Sequence, residues 1–159
     1  MPKGGHKTQT SRTKETNVFV KDILRDKGHD VYTIQNNVTL MEVVDELVDR
    51  DCGSLVVVDD QARMVGIITE RDVLSALSER HTPLSETALA TAIQDNPTVA
   101  APTDKVNDVM RIMTKQRIRH MPVVDTDELI GIVSIGDVVK AHEAQLKAES
   151  KFLKEYIIS

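Results

Sequence analysis

The chain has 159 residues, with 20 Lys and Arg against 25 Asp and Glu, so its formal net charge at pH 7 is −5. This length predicts one domain, and the acidic balance argues against a basic nucleic-acid-binding module. Hydrophobic residues make up 40% of the chain but Trp is absent, which predicts an aliphatic core without an aromatic platform for stacking bases. The single cysteine, Cys52, excludes an internal disulfide and a zinc site built on several thiolates.

The first residues of the chain are polar. Residues 1–17 are rich in Lys, Thr, Ser and Gly and predict a disordered leader. No apolar run approaches the roughly 18 residues of a membrane span, and the start lacks the apolar segment of a signal peptide. We therefore expect a cytoplasmic location, with neither a membrane nor a nucleic acid as partner.

From residue 18 onward the chain is a duplication. Eight residues from Gly66, GIITERDV, recur from Gly131 as GIVSIGDV, an offset of 65. Upstream of these runs the offset is 66, and Leu40 of the first copy matches Val106 of the second. The hairpin loop of the second copy is one residue shorter than that of the first, which accounts for the change of offset from 66 to 65. The repeat predicts two copies of one structural unit. We divide the chain into a leader, two repeats and a C-terminal extension, at residues 1–17, 18–80, 81–145 and 146–159.

Each copy predicts the same order of elements, β-α-β-β-α. The helix before the central strand has apolar residues three and four positions apart, and the central strand is apolar without alternation, which predicts burial on both faces. In the first copy the elements lie at residues 31–34, 40–48, 55–58, 64–68 and from 72 onward. In the second copy they lie at residues 98–100, 106–113, 121–124, 129–133 and from 137 onward. One copy of about 60 residues would be marginal alone, so we expect the two to fold together.

The repeated pattern resembles the tandem cystathionine β-synthase (CBS) domain pair, also called a Bateman module, over roughly residues 18–144. Its marks are LVVVD from Leu55 and MPVVD from Met121, each followed by Gly, two apolar residues, Thr or Ser, two variable residues and Asp. The resemblance implies a mixed α/β (α+β) fold of two β-α-β-β-α repeats packed as a pseudo-twofold pair, here with an extended C-terminal helix. It also implies a stand-alone regulatory module that binds AMP, ADP, ATP or NAD in the cleft between the repeats. Such a module dimerises and signals by conformational or oligomeric change.

The resemblance further implies which residues hold the ligand. In related modules each site combines the hydroxyl and Asp of one repeat with the first strand and the pre-strand turn of the other. The first site would combine Thr69, Arg71, Asp72, Thr98, Val99, Arg119, His120 and Met121. The second site would combine Thr33, Gly53, Ser54, Ser134 and Asp137. Because the first site alone gains Arg71, Arg119 and His120, we expect it to bind adenosine phosphates more tightly, with AMP as the first candidate ligand and NAD or ATP next.

The repeated motif also has a structural interpretation. Thr69 with Asp72, and Ser134 with Asp137, have the spacing of a helix capping box. The same geometry can offer N–H groups and a hydroxyl to an anion and a carboxylate to a ribose diol, so the two interpretations can coexist. The glycine three residues before each hydroxyl either permits close packing or ligand approach or marks a kink in the strand.

The sequence contains no recognisable catalytic grouping. Its five histidines include no pair at helical ligand spacing, and none is next to Cys52, so we expect neither an enzyme nor a metal site nor a catalytic cofactor. Cys52 itself is interpreted as a small half-buried residue rather than a reactive thiol. The acid pairs at 59–60 and 125–127 fall in hairpin turns, where Asp is favoured for turn geometry.

Residues 137–158 predict one long helix with an interrupted apolar stripe, at Val138, Val139, His142, Leu146, Leu153 and Ile157. Such a stripe packs on its own domain or on a dimer mate, or it binds an unidentified effector protein. The last interpretation belongs to an alternative hypothesis, in which the chain is a ligand-free dimeric scaffold that presents this helix to a partner.

Overall fold

The structure is a computed structural model, and it describes residues 16–158. The α-helices in this range are α1 (Val20–Lys27), α2 (Leu40–Asp49), α3 (Glu70–Arg80), α4 (Val106–Gln116) and α5 (Ile135–Ile158), and two short 3₁₀ helices lie at Leu84–Glu86 and Leu89–Thr91. The strands are β1 (Thr33–Gln35), β2 (Ser54–Val58), β3 (Met64–Thr69), β4 (Gln94–Asp95), β5 (His120–Asp125) and β6 (Glu128–Ser134). The predicted leader lies outside the described residues except for Thr16 and Asn17. The predicted long C-terminal helix is present as α5.

The strands form two sheets, one of four strands and one of two. The first sheet has the order β1-β2-β3-β4, with β1 parallel to β2 and the other neighbours antiparallel. The second sheet is the β5-β6 hairpin, to which Ala100 adds a parallel bridge at Val123. The strand predicted at residues 98–100 is therefore reduced to this bridge, whereas its counterpart β1 pairs over three residues. All five residues of β2 are buried, as its lack of alternation predicts.

The two halves have separate aliphatic cores, each built on the inward face of its central helix. The first core includes Leu40, Val43 and Leu47 of α2, and the second includes the matching residues of α4. Their three-and-four spacing turns one stripe of each helix inward, as the sequence pattern predicts. The fold class predicted from the repeat, two β-α-β-β-α units with a long terminal helix, is confirmed.

The segments that precede the two halves are exchanged between the cores. Helix α1 precedes the first half, yet its residues Val20, Ile23 and Leu24 are buried in the second core. Conversely, Leu89 precedes the second half and is buried in the first core, where the partly buried Ile93 packs against it. Sequence patterning did not indicate α1. Residues 18–80 and 81–145 remain predicted sequence repeats, and each of the two cores draws on both.

Backbone hydrogen bonds repeat this exchange symmetrically. Val106 N, at the start of α4, donates to Val18 O at 2.9 Å. In the other half, Leu40 N, at the start of α2, donates to Thr87 O at 2.8 Å. The connecting segments therefore tie each half to the other.

Two glycines mark the places where the exchanged segments cross the sheets. A Cβ atom at Gly66 would lie 2.4 Å from the backbone oxygen of Gln94 and 2.7 Å from Cδ1 of Ile93. A Cβ atom at Gly131 would lie 2.6 Å from Cδ2 of Leu24. The structure bears out close packing at both glycines, and an irregularity of the strand register directly before each of them also fits the kink.

Candidate functional site

The first hydroxyl and acid pair closes the N-terminus of α3. Thr69 Oγ1 accepts a hydrogen bond from Asp72 N at 3.4 Å, and Asp72 Oδ2 accepts from Thr69 N and Thr69 Oγ1 at 2.8 Å each. This is the capping box that the spacing predicts. Gln94 Nε2, from β4, donates to both carboxylate oxygens of Asp72, at 2.8 and 2.9 Å. A neutral amide is therefore the third partner of this motif.

The second pair forms the same box at the start of α5, but its third partner carries a charge. Asp137 Oδ2 accepts from Ser134 N at 2.8 Å, and Ser134 Oγ accepts from Asp137 N at 3.1 Å. Lys27 Nζ, from the end of α1, donates to the same Asp137 oxygen at 2.7 Å and to Ile132 O at 3.0 Å. Burial by itself raises the pKa of Asp137, but the bonds from Lys27 and Ser134 outweigh it, so this pKa is lower than usual.

A cavity of about 430 Å³ lies between the halves beside the first motif. It brings together five residues predicted for the first site and one predicted for the second: Thr69, Arg71, Thr98, Arg119, His120 and Gly53. Its other charged lining residues are Glu70, Asp95 and Arg117. Three arginines thus face two carboxylates, which leaves a net positive wall when His120 is neutral.

Gly53 and His120 meet where the two halves join. A Cβ atom at Gly53 would lie 3.2 Å from His120 Cε1 and 3.5 Å from Glu70 Oε1. Glu70 N donates to Gly53 O at 3.1 Å, which fixes the pre-strand turn against the start of α3. Burial lowers the pKa of His120, Glu70 opposes this shift, and Lys27 and Arg119 add to it. His120 is therefore a neutral imidazole at neutral pH.

The lining of this cavity does not include the other predicted residues, which are Thr33, Ser54, Asp72, Val99, Met121, Ser134 and Asp137. Met121 is fully buried in the second core, and Ser54 is also buried. Thr33 and Val99 are exposed. Thr98 lines the cavity, but its Oγ1 donates to Gln116 Oε1 at 2.7 Å. Asp72 reaches the cavity wall through its partner Gln94.

Sequence reasoning missed Lys27 and Gln94, the third partners of the two motifs. Both lie in the exchanged segments, outside the repeated strings. A signal for α1 was available, because apolar residues at positions 20, 23 and 24 are followed by two cations and then Gly28. Gly28 has a φ of 98° and ends the helix directly after Lys27.

A larger groove of about 750 Å³ lies elsewhere, between Thr16, α4 and the exposed end of α5. His142 Nδ1 lies 2.7 Å from Asn107 Oδ1 in its wall, and Phe152 and Leu153 line its outer part. The lining of this groove includes no hydroxyl or acid residue of the two motifs. The smaller cavity between the halves includes Thr69 and is the candidate site.

Residues 16–158 contain no group of three His, Cys, Asp or Glu side chains that could hold a metal ion. Burial raises the pKa of the partly buried Cys52 thiol. No helix among these residues is both long and apolar enough to cross a bilayer.

Comparison with known proteins gives the family. The CBS domain model matches residues 20–79 and 90–144. The chain belongs to the CBS domain family. It is 40% identical over 112 residues to an uncharacterized 17.7 kDa protein of Acidianus ambivalens. This match covers 70% of this chain and 66% of that protein. It is 32% identical to the mitochondrial CBS domain-containing protein CBSX3 of Arabidopsis thaliana, over 94% of this chain and 78% of that one. The chain spans just 32% of the length of a 33.4 kDa relative from Thermofilum pendens.

Solved structures support the same assignment. The CBS-domain containing protein ATU1752 from Agrobacterium tumefaciens has a TM-score of 0.76 at 35% identity and covers 82% of this chain and 96% of its own. The CBS domain pair of protein MJ0100, solved in complex with 5′-methylthioadenosine and S-adenosyl-L-methionine, has a TM-score of 0.70 at 28% identity, over 81% and 98%. The CBS domain protein PAE2072 from Pyrobaculum aerophilum, complexed with AMP, has a TM-score of 0.67 at 27% identity, over 76% and 89%. The CBS domain pair predicted from the repeat is confirmed.

Proposed function

We propose that this CBS domain pair is a regulatory module that binds adenosine-containing ligands in the cleft between its halves. The observation that carries the proposal is the cavity of about 430 Å³, which joins Thr69 and Arg71 of the first half to Arg119 and His120 of the second. Small-molecule sites typically measure roughly 300 to 1,000 Å³. Two related structures hold adenosine compounds, one with 5′-methylthioadenosine and S-adenosyl-L-methionine and the other with AMP.

Asp72 is the residue that we assign to the ribose. A carboxylate can accept hydrogen bonds from both hydroxyls of a vicinal diol. The same two oxygens accept from Gln94 Nε2, so ribose binding replaces an amide donor with two hydroxyl donors. Hydrogen bonds to a charged group contribute about 1.5 to 3 kcal/mol each, so two well-placed hydroxyl donors offset the loss of the amide donor.

The arginines are the groups that we assign to phosphate. Arg71, Arg117 and Arg119 line the cavity, and a guanidinium can donate two parallel hydrogen bonds to phosphate oxygens. A phosphate near His120 would also favour its protonated form. These groups support AMP as the first candidate ligand, followed by ADP, ATP and NAD, which share its adenosine phosphate.

In this proposal, signalling depends on a ligand that contacts both halves at once. A ligand shifts a population of arrangements only by binding one of them more tightly, and a ligand between the halves favours the arrangement that closes the cleft. Exposed apolar side chains on α2 and α3, among them Val48 at 71% and Leu74 at 66%, support a homodimer as the responding assembly. We place the module in the cytoplasm and leave its effector protein unnamed.

Thermal unfolding with and without ligand tests this proposal. A ligand at 100 times its Kd should stabilise the fold by about 2.7 kcal/mol, so millimolar AMP should raise the Tm measurably. Mass spectrometry of small molecules that survive purification would identify the natural ligand. The proposal is wrong if none of AMP, ADP, ATP, NAD and S-adenosylmethionine raises the Tm and no nucleotide accompanies the protein.

The end of α5 supports a second candidate function, a constitutive dimeric scaffold. Its residues Phe152, Leu153, Ile157 and Ile158 are 62%, 52%, 80% and 85% exposed, and two of them line the groove of about 750 Å³. A scaffold should keep the same Tm and the same sedimentation coefficient when AMP is added, whereas a sensor should change at least the Tm.

A further inference from the structure

The ion pair between Lys27 and Asp137 differs from the other ion pairs that the structure describes. Within residues 16–158, four of the five pairs join residues three or four positions apart on the chain. The Lys27 pair instead connects the end of α1 to the start of α5, with an Nζ to Oδ2 distance of 2.7 Å. Its lysine side chain is 33% exposed, the lowest value among the cations of these five pairs.

The first half has a counterpart of this contact with no charge. Leu24 of α1 covers Gly131, and Ile93 covers Gly66, so the end of α1 and the start of β4 occupy equivalent places in the two halves. From these places, Lys27 reaches the aspartate of the second motif, whereas Gln94 reaches the aspartate of the first. The repeat therefore sets an ammonium against one carboxylate and an amide against the other.

We propose that Lys27 is a specificity-determining residue of the second cleft, by which we mean the predicted site around Ser134 and Asp137, an inference that rests on the proposed function. Its ammonium pairs with the Asp137 carboxylate that a ribose diol would need. An uncharged nucleoside that displaces Lys27 leaves a partly buried cation without its counter-ion, which is costly. A ligand that carries phosphate offers Lys27 a new anionic partner. The second cleft therefore accepts adenosine phosphates and rejects adenosine itself, whereas Gln94 imposes no such condition on the first cleft.

Calorimetric titration with adenosine and with AMP tests this role. An Asp72→Asn background weakens the first cleft, so that the remaining binding reports on the second. In that background we expect AMP to bind at least tenfold more tightly than adenosine. Adding Lys27→Gln gives the second motif an amide partner, as Gln94 is for the first. This change should tighten adenosine binding at least tenfold and bring the affinities for adenosine and AMP close together.

Two variants control for charge and for folding. Lys21→Gln removes the same charge from α1 at a side chain that lies 5.4 Å from the centre of the Phe19 ring, and it should leave the ratio of the two affinities unchanged. Lys27→Arg keeps the cation, so the ratio of AMP to adenosine affinity should stay as it is in the Asp72→Asn background. Circular dichroism and thermal unfolding establish that each variant is folded.

Two results would overturn the inference. One is an unchanged ratio of AMP to adenosine affinity in the Lys27→Gln variant, which includes an equal loss of both affinities, because Lys27 is then only a structural ion pair. If Lys27→Gln fails to fold, a changed ratio in Lys27→Arg overturns the inference in its place. Failure of the wild-type chain to bind either compound would instead overturn the proposed function itself.

Discussion

The two halves carry the same hydroxyl and acid motif in different electrostatic surroundings. In both, the hydroxyl and the carboxylate close a capping box at the start of a helix. The first carboxylate, Asp72, then accepts from a neutral amide, and three arginines line the nearby cavity. The second, Asp137, accepts from the ammonium of Lys27. The capping geometry is common to both copies, whereas the groups that set ligand preference are not.

This difference shows which parts of a duplicated unit are free to diverge. The capping box satisfies backbone N–H groups at a helix terminus, so both copies need it for folding. The third partner of each aspartate comes from an exchanged segment, and it is not needed to satisfy backbone N–H groups at the helix terminus. Gln94 and Lys27 can therefore differ without disturbing α3 or α5.

The exchanged helix α1 provides the largest expected effect. Leu24 is 1% exposed in the second core, so Leu24→Ala should lower the free energy of unfolding by about 2 to 5 kcal/mol. Because each core includes a segment from the other half, urea denaturation should still show one transition. Leu146→Ala, at a side chain of α5 that is 51% exposed, is the matched control and should cost less than about 0.5 kcal/mol. Two separate unfolding transitions in the wild-type chain would contradict the exchange of segments between the two cores.

Replacing the two aspartates separates their shared structural role from their different binding roles. Asp72→Ala should weaken AMP binding about 10- to 100-fold, because the hydrogen bonds that the ribose hydroxyls donate to a charged group are lost. Asp137→Ala should weaken the tighter AMP site less than threefold. Both variants lose a capping box, which costs about 1 kcal/mol, and Asp137→Ala should cost more than Asp72→Ala because it also leaves Lys27 without its counter-ion. Equal weakening of AMP binding in calorimetry would contradict the asymmetry.

Much of the fold could be predicted from the sequence because its repeat is strong. The apolar stripes at Leu40 and Val106 and the unbroken strand from Leu55 depend on local periodicity, which one sequence displays. The exchange of α1 could not be predicted in this way. Its stripe has three apolar residues, and its packing partners lie more than 70 residues away along the chain.

The candidate site was predictable only in part for a related reason. Thr69 and Asp72 belong to a string that occurs twice, so they could be identified. Gln94 and Lys27 gain their importance from the exchange, and no local pattern links either of them to its aspartate. Met121, which was also predicted for the first site, has its whole side chain in the second core, a placement that no pattern around the site indicates.

The two crossing glycines sharpen the comparison further. An alanine at position 66 meets a backbone oxygen at 2.4 Å, whereas one at position 131 meets the end of a leucine side chain at 2.6 Å. A side chain can shift more easily than the backbone. We expect Gly66→Ala to cost about 3 kcal/mol and Gly131→Ala about 1 kcal/mol, within the usual range for overpacking. Urea denaturation of both variants measures the difference, and the reverse order would contradict the described packing.

The smallest expected effect is the pH dependence that His120 adds to stability. Its pKa is lowered in the folded state from an unfolded value of about 6.5, so the unfolded chain binds the proton more tightly. The stability gained from a neutral His120 is therefore present above pH 6.5 and is lost as the pH falls toward the lowered pKa. His120→Gln should flatten this part of the stability profile between pH 7 and pH 5. An unchanged profile would show that His120 does not contribute to it.

A bound phosphate should reverse this preference for the neutral imidazole. AMP binding at pH 7 should then be accompanied by proton uptake, which calorimetry in buffers of different ionisation enthalpy detects. The uptake should fall in the His120→Gln variant. The same uptake in both proteins would place the titrating group elsewhere.

A crystal structure of the chain with AMP tests the central claim most directly. We predict electron density for AMP in the cavity between the halves, with its ribose hydroxyls on Asp72 in place of Gln94 and its phosphate beside Arg71 and Arg119. Crystals that hold AMP elsewhere, or that show Gln94 still paired with Asp72 and no nucleotide in the cavity at saturating AMP, would contradict the account.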